Sequence, residues 1–150
     1  MVKFRYRMLS KLKVLMKEPI RILVVDDNAT FLEIVLEYLR RQDQLAVVGA
    51  TQRGQEALAL AQQVHPQVVL LDLYMPDLPG LEALPHLRAS LPGVGIIILT
   101  LHSIEAYRQA ALAGGADEFV SKQRLIPDLL PAIRRVAEIR ERSIVTTGKQ

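Results

Sequence analysis

The stretch Val68–Asp72, with the sequence VVLLD, decides the fold of this chain, and LYMP at 73–76 ends it. A short apolar run bounded by turn-forming residues is typical of a strand that is buried on both faces of a parallel sheet. Asp72 stands at the carboxyl end of that strand, the edge at which open α/β sheets bind ligands. Its carboxylate could equally accept loop N–H groups or cap a helix. Asp72 alone therefore leaves the function open.

Length and composition indicate a single domain with a buried core. The chain has 150 residues, of which half are apolar, and it contains no cysteine, which excludes disulfides, thiolate metal sites and cysteine nucleophiles. No apolar run reaches the ~20 residues of a membrane span, and the N-terminus lacks the pattern of a signal peptide. We therefore expect a cytoplasmic protein without membrane association.

The positive charge is concentrated at the N-terminus. Six of the 19 basic residues but only one of the 16 acidic residues lie in 1–19, which leaves 13 basic and 15 acidic residues in 20–150. A basic tail can contact nucleic acid or an anionic membrane. However, 1–19 has no motif that reads bases, and Met8 or Met16 could be the native start. We expect a basic tail that is either disordered or non-native.

Five apolar runs that predict strands alternate with five predicted helices. The strands are expected over 20–25, 45–50, 67–72, 95–100 and 116–120, and the helices over about 30–41, 54–64, 80–90, 104–114 and 126–142. Thr30 with Glu33 forms a capping-box pattern, Ser103 can cap the fourth helix, and Pro131 should delay or kink the last one. The alternation predicts a parallel sheet covered by helices on both faces. Residues 143–150 are expected to be a polar tail or the start of a linker.

Polar side chains end four of the predicted strands: Asp26 with Asp27, Asp72, Thr100 and Lys122. Because the carboxyl ends of parallel strands share one edge, we expect these groups to lie close together. Carboxylates a few ångströms apart raise one another's pKa unless a cation joins them. Oxygen ligands without cysteine or a nearby histidine suit Mg²⁺, with Mn²⁺ as the alternative.

These groups together can perform phosphoryl chemistry. Asp72 can attack a phosphorus atom as a nucleophile, Lys122 can neutralise the equatorial oxygens, and the Thr100 hydroxyl can donate to one of them. Taken singly, each has a simpler interpretation: an acidic pair favoured by a helix dipole, a strand-forming threonine and a solvated lysine. Their convergence at one edge favours the functional interpretation.

The sequence over 20–142 resembles the receiver domain of two-component response regulators. The matching residues are the pair Asp26-Asp27, Asp72 with Met75-Pro76 and Gly80, Thr100, and the run Phe119-Val120-Ser121-Lys122. The resemblance implies an α/β, flavodoxin-like (βα)5 fold, which is a doubly wound parallel sheet with strand order 2-1-3-4-5.

The resemblance also implies roles for the acidic residues. Asp72 would accept a phosphoryl group from a sensor histidine kinase. Asp27, Asp72 and the backbone carbonyl of Tyr74 would bind Mg²⁺ directly, and Asp26 would act through water. Such a domain catalyses its own phosphorylation and dephosphorylation, and it is not an enzyme that turns over external metabolites.

A switch is implied in the same way. Thr100 would move toward the phosphoryl group and Phe119 would turn inward. The face formed by helix 4, strand 5 and helix 5 would then change its affinity for partners, and a second copy of the domain could bind there as a homodimer on phosphorylation. Gln123 stands where many family members have proline. Regulators with a helix-turn-helix DNA-binding output often lack that proline, and this sequence is similar to them. DNA would then be bound only through a C-terminal domain absent from 1–150. A stand-alone receiver acting through protein contacts is the alternative.

Several positions depart from the family pattern. Phe119 lacks the hydroxyl of the common tyrosine, and Leu101 replaces a small residue beside the site, where it would narrow the approach of the phosphodonor. A cis bond before Gln123 would cost ~3 kcal/mol, so we expect a rearranged trans loop or a strained one. Tyr74 and His102 are expected to flank the phosphoryl group, exclude water and lengthen its lifetime.

Two other classes of protein are alternatives for this sequence. A phosphatase or phosphotransferase with an aspartyl-phosphate would, in haloacid-dehalogenase-like enzymes, carry a second aspartate two residues after the nucleophile, where this chain has Tyr74. A pseudo-receiver scaffold is supported by Leu101 but opposed by the complete set of acidic, hydroxyl and ammonium groups.

Overall fold

The computed structural model describes residues 18–101 and 104–147 and, near the N-terminus, residues 3, 5 and 7; for 144–147 it describes the backbone only. Most of the predicted tail at 1–19 lies outside these residues. The predicted helix cap at Ser103 and the flanking residue His102 also lie outside them, so these expectations stay predictions.

The described chain forms one parallel sheet with helices on both faces. Its strands are β1 (Ile20–Val25), β2 (Leu45–Thr51), β3 (Val68–Asp72), β4 (Gly95–Thr100) and β5 (Glu118–Ser121). Its helices are α1 (Ala29–Arg40), α2 (Gly54–Val64), α3 (Gly80–Ser90), α4 (Glu105–Ala113) and α5 (Leu125–Thr147), with a 3₁₀ turn at Lys122–Arg124. The strand order is β2-β1-β3-β4-β5, which confirms the order 2-1-3-4-5.

The central strand β3 is buried along its whole length, as its apolar sequence predicts. Val68 and Leu70 belong to a core layer with α1 and α5. Val69 and Leu71 belong to the opposite layer, with α2 and α3. Because side chains alternate along a strand, both core layers hold β3 in place, and Asp72 is fixed at its end.

The capping box predicted at Thr30 is wrong. Asn28 is the N-cap of α1, because its side-chain oxygen accepts the N–H of Phe31 at 2.9 Å and its backbone oxygen accepts the N–H of Leu32. Asparagine caps helices at least as well as threonine, so the helix begins at Ala29. The turn that follows Asp26-Asp27 is therefore shorter than predicted.

The last helix differs from its prediction at both ends. It begins at Leu125 and includes Pro131, so the proline does not delay its start. Proline removes the hydrogen bond to the carbonyl four residues earlier and crowds that carbonyl, which here belongs to Pro127 in the first turn of the helix. The helix continues to Thr147, and the Ser143 hydroxyl donates to the Ile139 carbonyl. The division at residue 142 stays a prediction.

The loop after β5 is the rearranged trans loop that the missing proline predicts. The bond between Lys122 and Gln123 is trans, and the chain turns directly into the 3₁₀ turn. The side-chain oxygen of Ser121 accepts the N–H of Gln123 at 3.2 Å and caps this turn. Within 18–101 and 104–147, no helix combines the length and apolar character that crossing a membrane requires.

Candidate functional site

Three carboxylates meet at the carboxyl edge of the sheet. Strands β1 and β3 are neighbours, with Val25 opposite Leu71, so Asp26 and Asp72 leave the sheet side by side. One oxygen from each of Asp26, Asp27 and Asp72 lies within 4.8 Å of the others. Asp26 is 1% exposed and Asp72 is 4% exposed, and Asp27 is the most accessible of the three. The predicted acidic cluster is therefore present.

Lys122 joins this cluster from the 3₁₀ turn after β5. Its Nζ lies 2.6 Å from Asp26 Oδ2 and 3.5 Å from Asp72 Oδ1, and its side chain is only 6% exposed. The simpler interpretation of Lys122 as a solvated surface lysine is therefore wrong. Its ammonium also lies 4.2 Å from the centroid of the Phe31 ring in α1.

Asp72 is held as a carboxyl group that resists ionisation. Burial contributes most to raising its pKa to about 7, followed by the charge of Asp26, and a hydrogen bond with Asp27 adds to the effect. The ammonium of Lys122 and the N–H of Tyr74 lower the pKa but do not offset these causes. The anion therefore needs further positive charge before it is stable at neutral pH.

The cluster fits a hard divalent cation. Asp26 Oδ1 accepts the N–H of Asn28 at 2.9 Å, whereas its buried Oδ2 accepts no hydrogen bond of good geometry from the described residues. Among the described residues, its charged partner is Lys122, whose Nζ lies 2.6 Å away. Three carboxylates facing one ammonium leave an excess of negative charge, and oxygen ligands of this kind are those that Mg²⁺ prefers.

Thr100 lies at the same edge, on the strand next to Asp72. Asp72 is opposite Leu99 in β4, and Thr100 is the next residue, fully buried and opposite Ser121 of β5. Thr100 is therefore placed beside the carboxylate cluster, as the strand pattern predicts.

Phe119 lies in β5 and is half-buried. It is opposite Ile98 in the sheet and packs against the core layer of α2 and α3. The ring also lines a cavity of about 210 Å³ between α4, β5 and α5, together with Ile104, Glu105, Arg108, Ser121 and Asp128. Phe119 therefore contacts the core on one side and adjoins open space on the other.

Tyr74 connects the loop after β3 to helix α4. Its N–H donates to Asp72 Oδ1 at 3.3 Å, and its ring meets that of Tyr107 edge to face, with centroids 5.8 Å apart. A hydrogen bond with Tyr107 raises the pKa of Tyr74 to about 12. That its carbonyl binds a cation stays a prediction.

Two residues that support the site were not assigned these roles from sequence. Asp77 accepts the N–H groups of Gly54 and Gln55, each at 3.1 Å, so it caps α2 from the loop after β3, and these hydrogen bonds lower its pKa. Gly80 donates its N–H to the Leu73 carbonyl at 2.9 Å. The sequence shows only an acidic residue and a glycine in a loop. It does not reveal which groups they contact, because both contacts form only in the folded structure.

The fold and the site define a class of protein: doubly wound α/β domains with an acidic pocket and a buried lysine at the carboxyl edge of the sheet. Within this class, residues 22–134 match the family model described as the response regulator receiver domain. The chain belongs to the response regulator receiver family.

Individual relatives agree with this assignment. The chain is 34% identical over 119 residues to the response regulator protein VraR of Staphylococcus saprophyticus, an alignment that covers 78% of this chain and 56% of that protein. The chain thus spans about half the length of the curated relatives it matches.

Solved structures show the same architecture. The response regulator domain of Thermotoga maritima CheB is 33% identical with a TM-score of 0.74, covering 81% of this chain and 98% of that one. A LuxR-family two-component response regulator from Aurantimonas is 30% identical with a TM-score of 0.77, covering 81% and 86%. These similarities agree with the flavodoxin-like fold that the resemblance implies.

Proposed function

We propose that this chain is a phosphorylation-dependent switch in which Asp72 accepts a phosphoryl group from a sensor histidine kinase. The observation that carries the proposal is the position of Asp72. Its carboxylate is buried at the edge of the sheet, within reach of two further carboxylates and of the Lys122 ammonium. Titratable groups that are buried beside specific charged partners and have strongly shifted pKa values cluster at functional sites.

The transfer needs a nucleophile and neutralisation of the phosphoryl oxygens. An Asp72 carboxylate oxygen forms the new bond to phosphorus while the P–N bond of the phosphohistidine breaks. The electron pair of that bond stays on the imidazole nitrogen, which takes up a proton from solvent. Lys122 donates to one phosphoryl oxygen, and the Thr100 hydroxyl donates to another.

The acidic cluster would hold the cation that this transfer requires. Asp27, Asp72 and the Tyr74 carbonyl would bind Mg²⁺ or Mn²⁺ directly, and Asp26 would bind it through water. When bound, the ion supplies positive charge to the phosphoryl oxygens. The buried oxygen of Asp26 that lacks a hydrogen bond supports this assignment.

Phosphorylation would change the surface formed by α4, β5 and α5. The phosphoryl group adds a charge of about −1.5 to −2. A conformation in which Thr100 and Lys122 both contact the phosphoryl oxygens stabilises this charge, so phosphorylation increases the population of that conformation. Thr100 moving toward the phosphoryl group would make room for Phe119 to turn inward, away from the cavity that it lines. A homodimer would form on the changed surface.

We also propose that the switch regulates transcription through a C-terminal DNA-binding domain. The chain covers only 56% of VraR, and a solved structure of the same fold is described as a DNA-binding response regulator of the LuxR family from Staphylococcus aureus. A receiver that acts through protein contacts alone is the second candidate.

Intact mass spectrometry tests the chemistry. Incubation with acetyl phosphate and Mg²⁺ should add one phosphoryl group, and the adduct should be absent from Asp72→Ala but present in Asp43→Ala, whose aspartate is an exposed residue outside the acidic cluster. An adduct that persists in Asp72→Ala would contradict the proposal. Size-exclusion chromatography of the same samples would show whether phosphorylation produces a dimer.

A further inference from the structure

The ammonium of Lys122 has an aromatic neighbour as well as two acidic ones. Asp26 Oδ2 and Asp72 Oδ1 lie 2.6 and 3.5 Å from Nζ, and the centroid of the Phe31 ring lies 4.2 Å from it. A cation within about 6 Å of a ring centroid is attracted by the negative face of the ring, and the attraction grows when water is excluded. With its side chain only 6% exposed, Lys122 meets that condition.

The Phe31 ring is attached to the same turn as the acidic pair. The N–H of Phe31 donates to the side chain of Asn28 at 2.9 Å, and the N–H of Asn28 donates to Asp26 Oδ1 at 2.9 Å. Two consecutive hydrogen bonds therefore join the backbone of Phe31 to the carboxylate of Asp26. The same capped turn therefore carries both Phe31 and the acidic pair Asp26-Asp27.

Carboxylates and an aromatic ring hold an ammonium in different ways. Asp26 and Asp72 form ion pairs with the ammonium, so they compete with any phosphoryl oxygen for it. A ring attracts the charge without being a strong acceptor, so it leaves the N–H donors available. During the transfer, the Lys122 ammonium must leave its ion pair with Asp26 and contact a phosphoryl oxygen. The Phe31 ring would keep the ammonium beside Asp72 during this change.

We infer that Phe31 is a positioning residue for phosphoryl transfer, whose ring holds the Lys122 ammonium next to Asp72 and leaves its N–H groups for the incoming phosphoryl oxygens. This inference rests on the proposed function and deepens it. The competing explanation is packing, because Phe31 also contacts the core layer of α1 and α5.

Substitutions that separate ring electronics from volume test the inference. Phe31→Leu should slow phosphorylation of Asp72 by acetyl phosphate roughly five- to thirtyfold, the range that a desolvated cation–π contact provides, and Phe31→Tyr should restore most of the rate. Tyr38→Leu is the matched control, since Tyr38 lies on the same helix and packs against the same layer. It should leave the rate unchanged.

Fluorinated phenylalanines at position 31 make the test independent of folding. Successive fluorines weaken the negative face of the ring with little change in shape, so the rate constant should fall stepwise along the series. In the unphosphorylated domain, the ε-methylene protons of Lys122 should show an upfield ring-current shift that Phe31→Leu removes.

The outcomes distinguish the two proposals. If the unmodified protein gains no phosphoryl group at Asp72, the proposed function fails and this inference fails with it. If the protein is phosphorylated but the fluorinated series shows a constant rate, Phe31 acts only through packing and this inference alone is overturned.

Discussion

Asp72 is a carboxyl group whose surroundings oppose its charge. Its folded-state pKa of about 7 lies above its ordinary value of 3.8, mainly because of burial and of Asp26. A raised carboxyl pKa contributes stability that is fully present below about pH 4 and is lost as the pH rises through about 7. The free energy of unfolding of the cation-free domain should therefore fall as the pH rises from about 4 to about 7.

Replacing Asp72 by asparagine should stabilise the cation-free domain. Asp72→Asn removes the desolvated charge and its repulsion with Asp26, so the free energy of unfolding at about pH 8 should rise by about 1–2 kcal/mol. Urea titrations at about pH 8 and about pH 4 would measure it, and the gain should vanish at the lower pH. A loss of stability at the higher pH would contradict this account.

Binding of Mg²⁺ should counteract the loss of stability that the domain shows as the pH rises. Because a bound cation favours the ionised carboxylates, the rise in melting temperature on adding Mg²⁺ should be larger at about pH 8 than at about pH 5. Thermal scans with Mg²⁺ and after its removal by EDTA would measure the difference. In Asp72→Asn the rise should shrink strongly, and an undiminished rise would place the ion elsewhere.

Gly80 is required by a close approach of backbones. A Cβ at this position would lie 2.9 Å from Leu73 Cα and against the carbonyl oxygen of Asp72. Gly80→Ala should therefore lower the free energy of unfolding by about 2–3 kcal/mol. It should also lower the rate at which Asp72 is phosphorylated, because the added methyl group displaces the Asp72 backbone.

Gly49→Ala is the matched control for this substitution. The nearest atoms to its added Cβ would be side-chain atoms of Leu23 and Leu60, at 3.2 and 3.3 Å, which can shift more easily than backbone. Denaturant titration should show a change below about 1 kcal/mol. Equal effects of the two substitutions would contradict the role assigned to Gly80.

Among the elements, the loop between α4 and β5 anchors two helices through Asp117. Its Oδ2 accepts the Ile96 N–H at 2.8 Å and Arg88 Nη2 at 3.1 Å, and its Oδ1 accepts Arg140 Nε at 3.0 Å. Arg88 lies in α3 and Arg140 in the second half of α5. This Asp117 network therefore ties the second half of α5 to α3 and to the start of β4.

Removing the Asp117 carboxylate, which all three groups share as an acceptor, should lower the stability of the domain. Asp117→Ala leaves two partly buried guanidinium groups without their carboxylate, and the free energy of unfolding should fall by about 3 kcal/mol. Arg41→Gln, which breaks an exposed pair with Glu37, should change it by less than about 1 kcal/mol. Chemical denaturation would compare them, and similar losses would show that the Asp117 network adds nothing.

Element boundaries were predictable where glycine and proline punctuate the chain. The helices α2 and α3 begin and end as predicted, each between a glycine and a residue that stops the helix. The start of α1 was mispredicted because Asn28 and Thr30 are both competent caps, and periodicity does not choose between them. The end of α5 was mispredicted because polar residues after Arg142 gave no sign that the helix continues.

For the whole molecule, the strand pattern predicted which residues share the carboxyl edge, because every strand of a parallel sheet ends there. The order of the strands came from the family resemblance, since periodicity does not encode order. The contacts of Phe31 with Lys122 and of Asp77 with α2 were not predictable, because each joins elements distant in sequence whose relative rotation only the packed fold sets.

The central claim is that the carboxyl edge of this sheet is a cation-assisted phosphoryl-acceptor pocket built on Asp72. A crystal structure with Mg²⁺ and beryllofluoride, a phosphoryl mimic, tests it most directly. The account predicts beryllium bonded to an Asp72 oxygen, fluorines contacting Thr100 and Lys122, and Mg²⁺ bound by Asp27 and Asp72. Beryllofluoride or Mg²⁺ bound elsewhere, with Lys122 still paired to Asp26, would contradict it.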